Sequence, residues 1–269
     1  MKVAVLLVGQ PRNAIECSEN ILKNIIIPNT ADVFIHTWYD KENLYMEKGE
    51  KDRGNCLCEA NIDTKILEIY KPKSYCIEKQ KFNNFNNYEC NYYECPEKYL
   101  DNISKDGKNK ELTLEEVKLR ILKYTHLSQF YSIFKCNLLK EEYSIENNIL
   151  YDCVIKIRFD IVINAPLICN HYQMNKIYFQ NIGQPDNLIS DWFNMGSNEV
   201  MNVLASIFLN IKYLNNYQGY YSKTERLPVS LWDTTKCNIS PEFFIRDMMY
   251  KYKIPSQPIN IGIILSKNC

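Results

Sequence analysis

The sequence lacks an excess of charge of either sign. Its 269 residues include 32 lysines and arginines and 32 aspartates and glutamates, so the formal net charge at pH 7 is zero. It also lacks a block of basic residues that could follow a nucleic acid backbone or an anionic membrane surface. The composition therefore argues against a nucleic acid partner and against a general binder of polyanions.

Long apolar runs are missing as well. No stretch approaches the roughly eighteen apolar residues of a membrane span. The apolar run at residues 3–8 is shorter than the core of a signal peptide, and Gly9 follows it at once. We therefore predict a first β-strand there, no membrane span, and a cytoplasmic location, which is the host cytoplasm if the source is viral.

Cysteines with zinc-binding spacing are also absent. The eleven cysteines are an odd number scattered along the chain, and several fall in predicted core elements. This distribution is typical of reduced cytosolic thiols. The closer pairs lack the paired C-x-x-C spacing of a structural zinc site: Cys56 with Cys58, and Cys90 with Cys95.

The sequence does contain short apolar strands that alternate with amphipathic helices. This alternation predicts an α/β fold with an open mixed sheet flanked by helices, and the chain length suits one domain. The region at about 80–110 has little periodicity and predicts an irregular insertion. Predicted strands cover residues 3–8, 31–38, 74–78, 151–163, 176–180 and 259–265, and predicted helices cover 13–28, 62–70, 113–138, 199–213 and 243–252.

Two opposite charges, Arg158 and Asp160, interrupt the apolar run at 151–163. Residues two apart on a strand point to the same face, and open α/β sheets hold ligands at the carboxyl ends of their strands. The pair therefore predicts a place where a phosphate and a metal meet. Two alternatives stay open: a structural ion pair, or an edge strand whose wet face also includes Lys156.

The four residues after the first strand, Gly9, Gln10, Pro11 and Arg12, lie between a strand and a helix. A helix amino terminus has free N–H groups and a favourable dipole, so this loop predicts an anion-binding position. For Arg12 the alternative is a solvated surface arginine.

Aromatic residues also lie at the end of the second predicted strand and in a later predicted loop. Thr37 and Trp38 end the second strand, where they could hydrogen-bond or stack on a nucleobase, although a core tryptophan is the alternative for Trp38. Asp191 and Trp192 lie in a predicted loop at 189–197 and indicate sugar binding, because aromatic faces pack on sugar C–H surfaces and carboxylates bind hydroxyls. In the alternative, Trp192 and Phe193 pack against the sheet as core residues.

Several motifs together resemble nucleotide-sugar glycosyltransferases of the GT-A type, in particular small enzymes of large DNA viruses and of bacterial surface-polysaccharide clusters. They are the G-Q-P-R loop, the I-H-T-W strand end, the helix Q-F-Y-S-I-F-K before D-C-V-I-K-I-R-F-D, and D-W-F-N-M-G-S. The likeness spans roughly residues 1–14, 31–38 and 120–265. It rests on the order of the motifs along the chain. It implies a GT-A-like, Rossmann-like fold with a nucleotide-binding half (1–165) and an acceptor-side half (166–269).

The resemblance also implies a reaction and a cofactor. Such enzymes move a sugar from a nucleotide-sugar donor to a glycan or other hydroxyl acceptor, and their D-x-D motif holds a divalent metal on the donor diphosphate. Here the motif is matched by Arg158, Phe159 and Asp160, so only the second acid is present. Asp160 is the expected ligand for Mn²⁺ or Mg²⁺, and Arg158 the expected diphosphate contact. Metal dependence stays open, because the family's carboxyl-terminal histidine is missing and the last histidine is His171.

The family's general base sits at the start of a late helix, where Glu242 is the nearest match, with Asp191 as the rival. The alternative for Glu242 is a first-turn acid that complements the helix dipole. We expect Trp192 and Gln129 to contact the sugar or the acceptor. Two other functions stay open: a non-catalytic glycan- or nucleotide-binding protein derived from this fold, and a sugar-phosphate nucleotidyltransferase. The second normally has a glycine-rich loop that the G-Q-P-R loop lacks.

Overall fold

A computed structural model describes residues 1–41, 45–46, 56–57, 59–79, 105–106, 110–111, 126–181, 188–210 and 241–266. The strands are β1 (Val3–Gly9), β2 (Asp32–Trp38), β3 (Tyr45–Met46), β4 (Cys56–Leu57), β5 (Ser74–Glu78), β6 (Lys105–Asp106), β7 (Lys110–Glu111), β8 (Cys153–Arg158), β9 (Ile161–Ile163), β10 (Ile177–Gln180), β11 (Phe193–Gly196), β12 (Ser256–Ile259) and β13 (Ile263–Leu265). The helices are α1 (Ala14–Ile21), a π-helical turn (Leu22–Ile26), α2 (Ile27–Asn29), α3 (Ile62–Tyr70), α4 (His126–Glu146), a 3₁₀ turn (Cys169–His171), α5 (Asn198–Ala205) and α6 (Pro241–Lys251).

Seven strands form one sheet in the order β12-β10-β11-β8-β1-β2-β5. β11 runs antiparallel to both of its neighbours, and every other pair is parallel. The central strand β1 is continuously apolar up to Gly9, and its neighbour β8 is apolar except for Lys156 and Arg158, as expected for strands covered on both faces. The predicted α/β fold, a GT-A-like open mixed sheet flanked by helices, is confirmed.

Helices cover both faces of the sheet, and alternate residues of each strand belong to different layers. On β1, Val3, Val5 and Leu7 pack in the core formed with α1 and α3. The residues between them, Ala4, Leu6 and Val8, pack in the core formed with α4, α5 and α6. Within the described part of the chain, none of these helices has the length and apolar character needed to cross a membrane.

Two predicted strands are each divided in two. The run at 151–163 breaks at a turn formed by Phe159 and Asp160, so β8 ends at Arg158 and β9 pairs with β13 in a separate small sheet. The run at 259–265 breaks at Gly262, whose φ is 64°. A side chain there would be strained, and an added Cβ would lie 2.6 Å from the Asn164 amide nitrogen. Apolar periodicity alone does not reveal these breaks.

Other boundaries also differ from the predictions. The predicted loop at 189–197 contains β11, which is buried between β8 and β10. Parts of the predicted elements lie outside the described residues, among them the start of the long helix at 113, most of the insertion at 80–110, and the end of the helix at 199–213. The division into halves at residue 165 stays a prediction.

Three asparagines hold the first helical segment against the chain that follows β8. Asn20 and Asn24 donate from their side-chain amides to the Ile163 carbonyl at 3.1 and 2.8 Å. Asn29 donates to the Leu167 carbonyl at 2.7 Å. The spacing of four and then five residues keeps all three on one side of the helix, because the π-helical turn adds one residue to the regular repeat.

Replacing Asn24 should therefore destabilise the protein. Asn24→Ala removes a buried amide and one donor to Ile163, so we expect the free energy of unfolding to fall by about 1–3 kcal/mol. The neighbouring exposed Lys23→Ala is the control and should change it by no more than about 0.5 kcal/mol. Urea unfolding of both variants gives the comparison, and equal effects would contradict this role of Asn24.

Candidate functional site

The carboxyl ends of four parallel strands, β1, β2, β5 and β8, meet at one edge of the sheet. We call this the carboxyl edge. β11 starts at the same edge, because its first residue, Phe193, pairs with Ile157 near the end of β8. The structure thus brings most of the predicted site residues together, although they come from distant parts of the sequence.

The loop after β1, residues 9–12, leads directly into α1. Gly9 has a φ of 98°, which favours glycine, and an added Cβ there would meet no atom within 4 Å. Two side chains fix its backbone: Thr37 Oγ1 donates to the Gly9 carbonyl at 2.8 Å, and the Gly9 N–H donates to Ser132 Oγ at 2.9 Å. Thr37 itself is fully buried, so it anchors the loop and is not open to a ligand.

Arg158 and Asp160 form a two-bond ion pair across the turn after β8. Arg158 Nε donates to Asp160 Oδ1 at 2.8 Å and Nη2 donates to Oδ2 at 2.6 Å. Burial lowers the pKa of Arg158, but the Asp160 carboxylate outweighs burial and raises that pKa above its ordinary value. The ion pair that the sequence left open as an alternative is therefore present. It also lies at a strand end on the carboxyl edge, as the ligand-site hypothesis requires.

The chain near its end connects this pair to the β1 loop. Ser266 donates its N–H to the Asp160 carbonyl at 2.8 Å. Asn13, the residue before α1, donates from its side-chain amide to the Ser266 carbonyl at 3.4 Å. The Arg158–Asp160 turn and the predicted anion-binding loop are thus neighbours.

Lys156 is a member of this site that the sequence analysis named only in one of its alternatives. It lies on the central strand β8 and is fully buried, so the alternative of a wet edge-strand face is wrong. Its Nζ donates to the Asp191 carbonyl. Burial lowers the pKa of Lys156 to about 8, although nearby carboxylates oppose the shift. Those carboxylates are Asp191, Asp160 and Glu242.

Both candidate bases are buried beside this lysine. Asp191 precedes β11, and its Oδ2 accepts a hydrogen bond of 2.6 Å from the Gln129 side chain. Glu242 lies in the first turn of α6. Both carboxylates are less than 10% exposed. We refer to Lys156, Arg158, Asp160, Asp191 and Glu242 as the edge cluster, which brings two cations and three carboxylates together.

The two tryptophans have different surroundings. Trp38 is 3% exposed, and its ring stacks on Tyr131 at 5.4 Å and meets the edge of His36 at 4.8 Å. It has no face open to a nucleobase, so the alternative of a core tryptophan applies. Trp192 is partly exposed next to Asp191, and its contact with a sugar stays a prediction.

Removing Lys156 should change how stability depends on pH. The folded-state pKa near 8 lies below the ordinary lysine value of about 10.4, so the unfolded chain binds more protons between these values. Stability of the wild type should therefore rise with pH in this window. From about pH 7 to about pH 9.5, its free energy of unfolding should gain about 2 kcal/mol relative to Lys156→Met. Urea unfolding at both pH values measures this gain. If the difference in unfolding free energy between the two proteins is the same at both pH values, the lowered pKa of Lys156 is contradicted.

Comparisons with known proteins give similarities of structure only. No protein-family model matches the sequence, and no curated protein matches it. Among solved structures, mouse xyloside xylosyltransferase 1 in its apo form is 8% identical with a TM-score of 0.44, over 96% of this chain and 85% of that one.

Two other glycosyltransferase structures are similar at the same level. The apo structure of the bifunctional glycosyltransferase WbbM is 11% identical with a TM-score of 0.42, over 96% of this chain but 38% of that one. A glycosyltransferase involved in glycosylation of the major capsid of PBCV-1 is 8% identical with a TM-score of 0.34, over 97% of this chain and 83% of that one. The chain is thus similar to glycosyltransferases of known structure, but identities and TM-scores this low leave its activity to be inferred from its own site.

Proposed function

We propose that the chain is a glycosyltransferase that moves a sugar from a nucleotide-sugar donor to a glycan or other hydroxyl acceptor. The observation that carries this proposal is the convergence at the carboxyl edge. The loop predicted to bind an anion, an arginine and two candidate base carboxylates lie there together. A nucleotide-sugar needs partners of these kinds: cationic or N–H groups for its diphosphate, and a base for the attacking hydroxyl.

The donor diphosphate would lie between the β1 loop and Arg158. The two bonds from Arg158 to Asp160 use two of the five N–H groups of a guanidinium, so the side chain retains donors for a second anion. Asp160 holds the guanidinium in place at the strand end, and a preset arginine loses little freedom on binding. The loop would contribute backbone N–H groups at the start of α1.

A divalent metal fits this edge only together with the donor. Both Asp160 oxygens contact Arg158, and among the described residues Asp160 belongs to no group of three metal-ligating side chains. Mg²⁺ commonly binds through one or two carboxylates plus substrate phosphates. We therefore propose that Asp160 would hold Mn²⁺ or Mg²⁺ together with the donor diphosphate. When bound, it would add positive charge at the diphosphate.

The protein residues then have separate roles in transfer. The carboxylate of Glu242 or Asp191 accepts the proton of the acceptor hydroxyl while the oxygen attacks the anomeric carbon. The bond from that carbon to the diphosphate breaks, and Arg158 stabilises the charge of the departing nucleoside diphosphate. Trp192 and Gln129 flank Asp191 and would contact the transferred sugar or the acceptor.

Arg158→Ala should weaken the binding of a nucleoside diphosphate far more than the binding of the free nucleoside. Loss of a charge-assisted contact corresponds to about 1.5–3 kcal/mol, or roughly 10- to 150-fold in Kd. Arg246→Ala, which breaks another Arg–Asp pair on α6, is the matched control and should leave both affinities unchanged. Isothermal titration provides the affinities. If both ligands lose the same affinity, Arg158 has a purely structural role.

Removing the true base should slow transfer without weakening donor binding. Either Asp191→Asn or Glu242→Gln should lower kcat by roughly a hundred- to ten-thousand-fold, while the donor Kd changes little. Each change keeps the size of the side chain and removes its charge. If neither variant slows transfer tenfold, both assignments fail, and a retaining mechanism without such a base becomes the better account.

The proposed activity itself is tested with a panel of UDP-, GDP- and TDP-sugars in the presence of Mn²⁺. We expect release of nucleoside diphosphate from at least one donor, with a faster rate when its acceptor is added. Thermal shifts with the same panel, with and without Mn²⁺, identify the nucleotide, because a ligand of the folded state raises the apparent Tm. Binding without turnover across the panel and plausible acceptors would favour the non-catalytic alternative.

A further inference from the structure

A second group of polar side chains lies on the neighbouring strands β2 and β5. His36 pairs in register with Cys76, and Glu78 follows two residues later on the same face of β5. His36 is fully buried, whereas Cys76 and Glu78 are partly exposed. Within the described ranges, these three form the one group of histidine, cysteine and carboxylate side chains close enough to share a metal ion, with ligand atoms within 4.8 Å of one another.

Two of the three distances between the ligand atoms are close to those of a tetrahedral zinc site. His36 Nε2 lies 3.2 Å from Glu78 Oε1, and Cys76 Sγ lies 3.3 Å from the same oxygen. Ordinary zinc bond lengths at tetrahedral angles place nitrogen and oxygen about 3.3 Å apart, and sulfur and oxygen about 3.5 Å apart. Cys76 is a free thiol and is therefore able to act as a ligand.

Ser132 on α4 orients the histidine. Its hydroxyl oxygen accepts from the Gly9 N–H and lies 3.2 Å from the His36 carbonyl oxygen and 2.8 Å from His36 Nδ1. In the tautomer that carries its proton on Nδ1, His36 donates to Ser132 Oγ, and its unprotonated Nε2 faces the Glu78 carboxylate. That tautomer leaves Nε2 able to bind a cation. Metal-binding histidines in proteins are commonly held in this way by a hydrogen bond from their other nitrogen.

We propose that His36, Cys76 and Glu78 bind one Zn²⁺ ion and leave its fourth position open to water or another ligand. A thiolate with an imidazole selects zinc over Mg²⁺ or Mn²⁺, which favour oxygen ligands. The partial exposure of Glu78 provides access for the ion. This site is separate from Asp160 and does not depend on the proposed transfer reaction.

The site also adjoins the donor side of the carboxyl edge. Ser132 Oγ joins His36 Nδ1 to the Gly9 N–H, so a zinc-bound His36 lies two hydrogen bonds from the β1 loop. Bound zinc would hold β2, β5 and α4 together beneath that loop.

Zinc binding to the full chain provides the test. Metal-free protein is titrated with Zn²⁺ against a competing chromophoric chelator, which gives stoichiometry and affinity. Because the chain has other cysteines, the comparison is between variants. Cys76→Ser and Glu78→Gln should each lose one tightly bound equivalent, whereas Cys17→Ala, a buried cysteine in the other core layer, should retain it. Circular dichroism shows whether each variant is folded. Because Glu78 is partly exposed, Glu78→Gln is the variant least prone to misfolding.

Cobalt supplies an independent readout of the same site. Co²⁺ in the wild-type protein should show a thiolate-to-metal absorption band in the near ultraviolet, and this band should decrease in Cys76→Ser but not in Cys17→Ala. The proposal is overturned if the wild type binds no tight Zn²⁺, if Cys76→Ser and Glu78→Gln keep the full stoichiometry, or if Cys17→Ala loses as much as they do.

Discussion

Two positive charges on one face of a central strand constrain this structure more than any other feature. Lys156 and Arg158 both project from β8 beneath covering helices. A buried cation costs several kcal/mol unless it is paired and hydrogen-bonded. The turn after β8 supplies Asp160, the chain before β11 supplies Asp191, and α6 begins with Glu242 nearby. The same arrangement that offsets these charges in the free protein forms the proposed donor and base site.

Much of the fold was predictable because the residue pattern of most strands and helices is visible within their own segments of sequence. β1 is an apolar run that ends at Gly9, β2 contains the apolar run 33–35, and β5 is bounded by Ser74 and Glu78. The helices between them have clear apolar spacing. The elements β1, α1, β2, α3, β5, α4 and β8 therefore follow one another in the predicted order, whereas β11 was not predicted. Arg158 and Asp160 lie at and just after the end of β8, close to where they were predicted. The breaks in the runs at 151–163 and 259–265 were missed, because short apolar segments continue on both sides of Asp160 and of Gly262.

The parts of the site that were missed depend on contacts between distant residues. Lys156 is buried, and its Nζ donates to the carbonyl of Asp191, which lies 35 residues later. Trp38 is covered by Tyr131, and His36 is oriented by Ser132, 96 residues away. The sequence places Ser132 on a helix and Cys76 on a strand, but it does not reveal that they converge on one histidine. A zinc site formed across strands in this way has no spacing motif to recognise.

A crystal structure of the chain with a bound nucleoside diphosphate tests the proposed donor site directly. We expect the phosphates at the carboxyl edge, within hydrogen-bond distance of the Arg158 guanidinium and of backbone N–H groups in residues 9–12. The nucleobase and ribose would then extend away from Trp38, which stays covered by Tyr131. Ordered phosphates bound elsewhere on the chain, with the Arg158–Asp160 pair untouched, would contradict it.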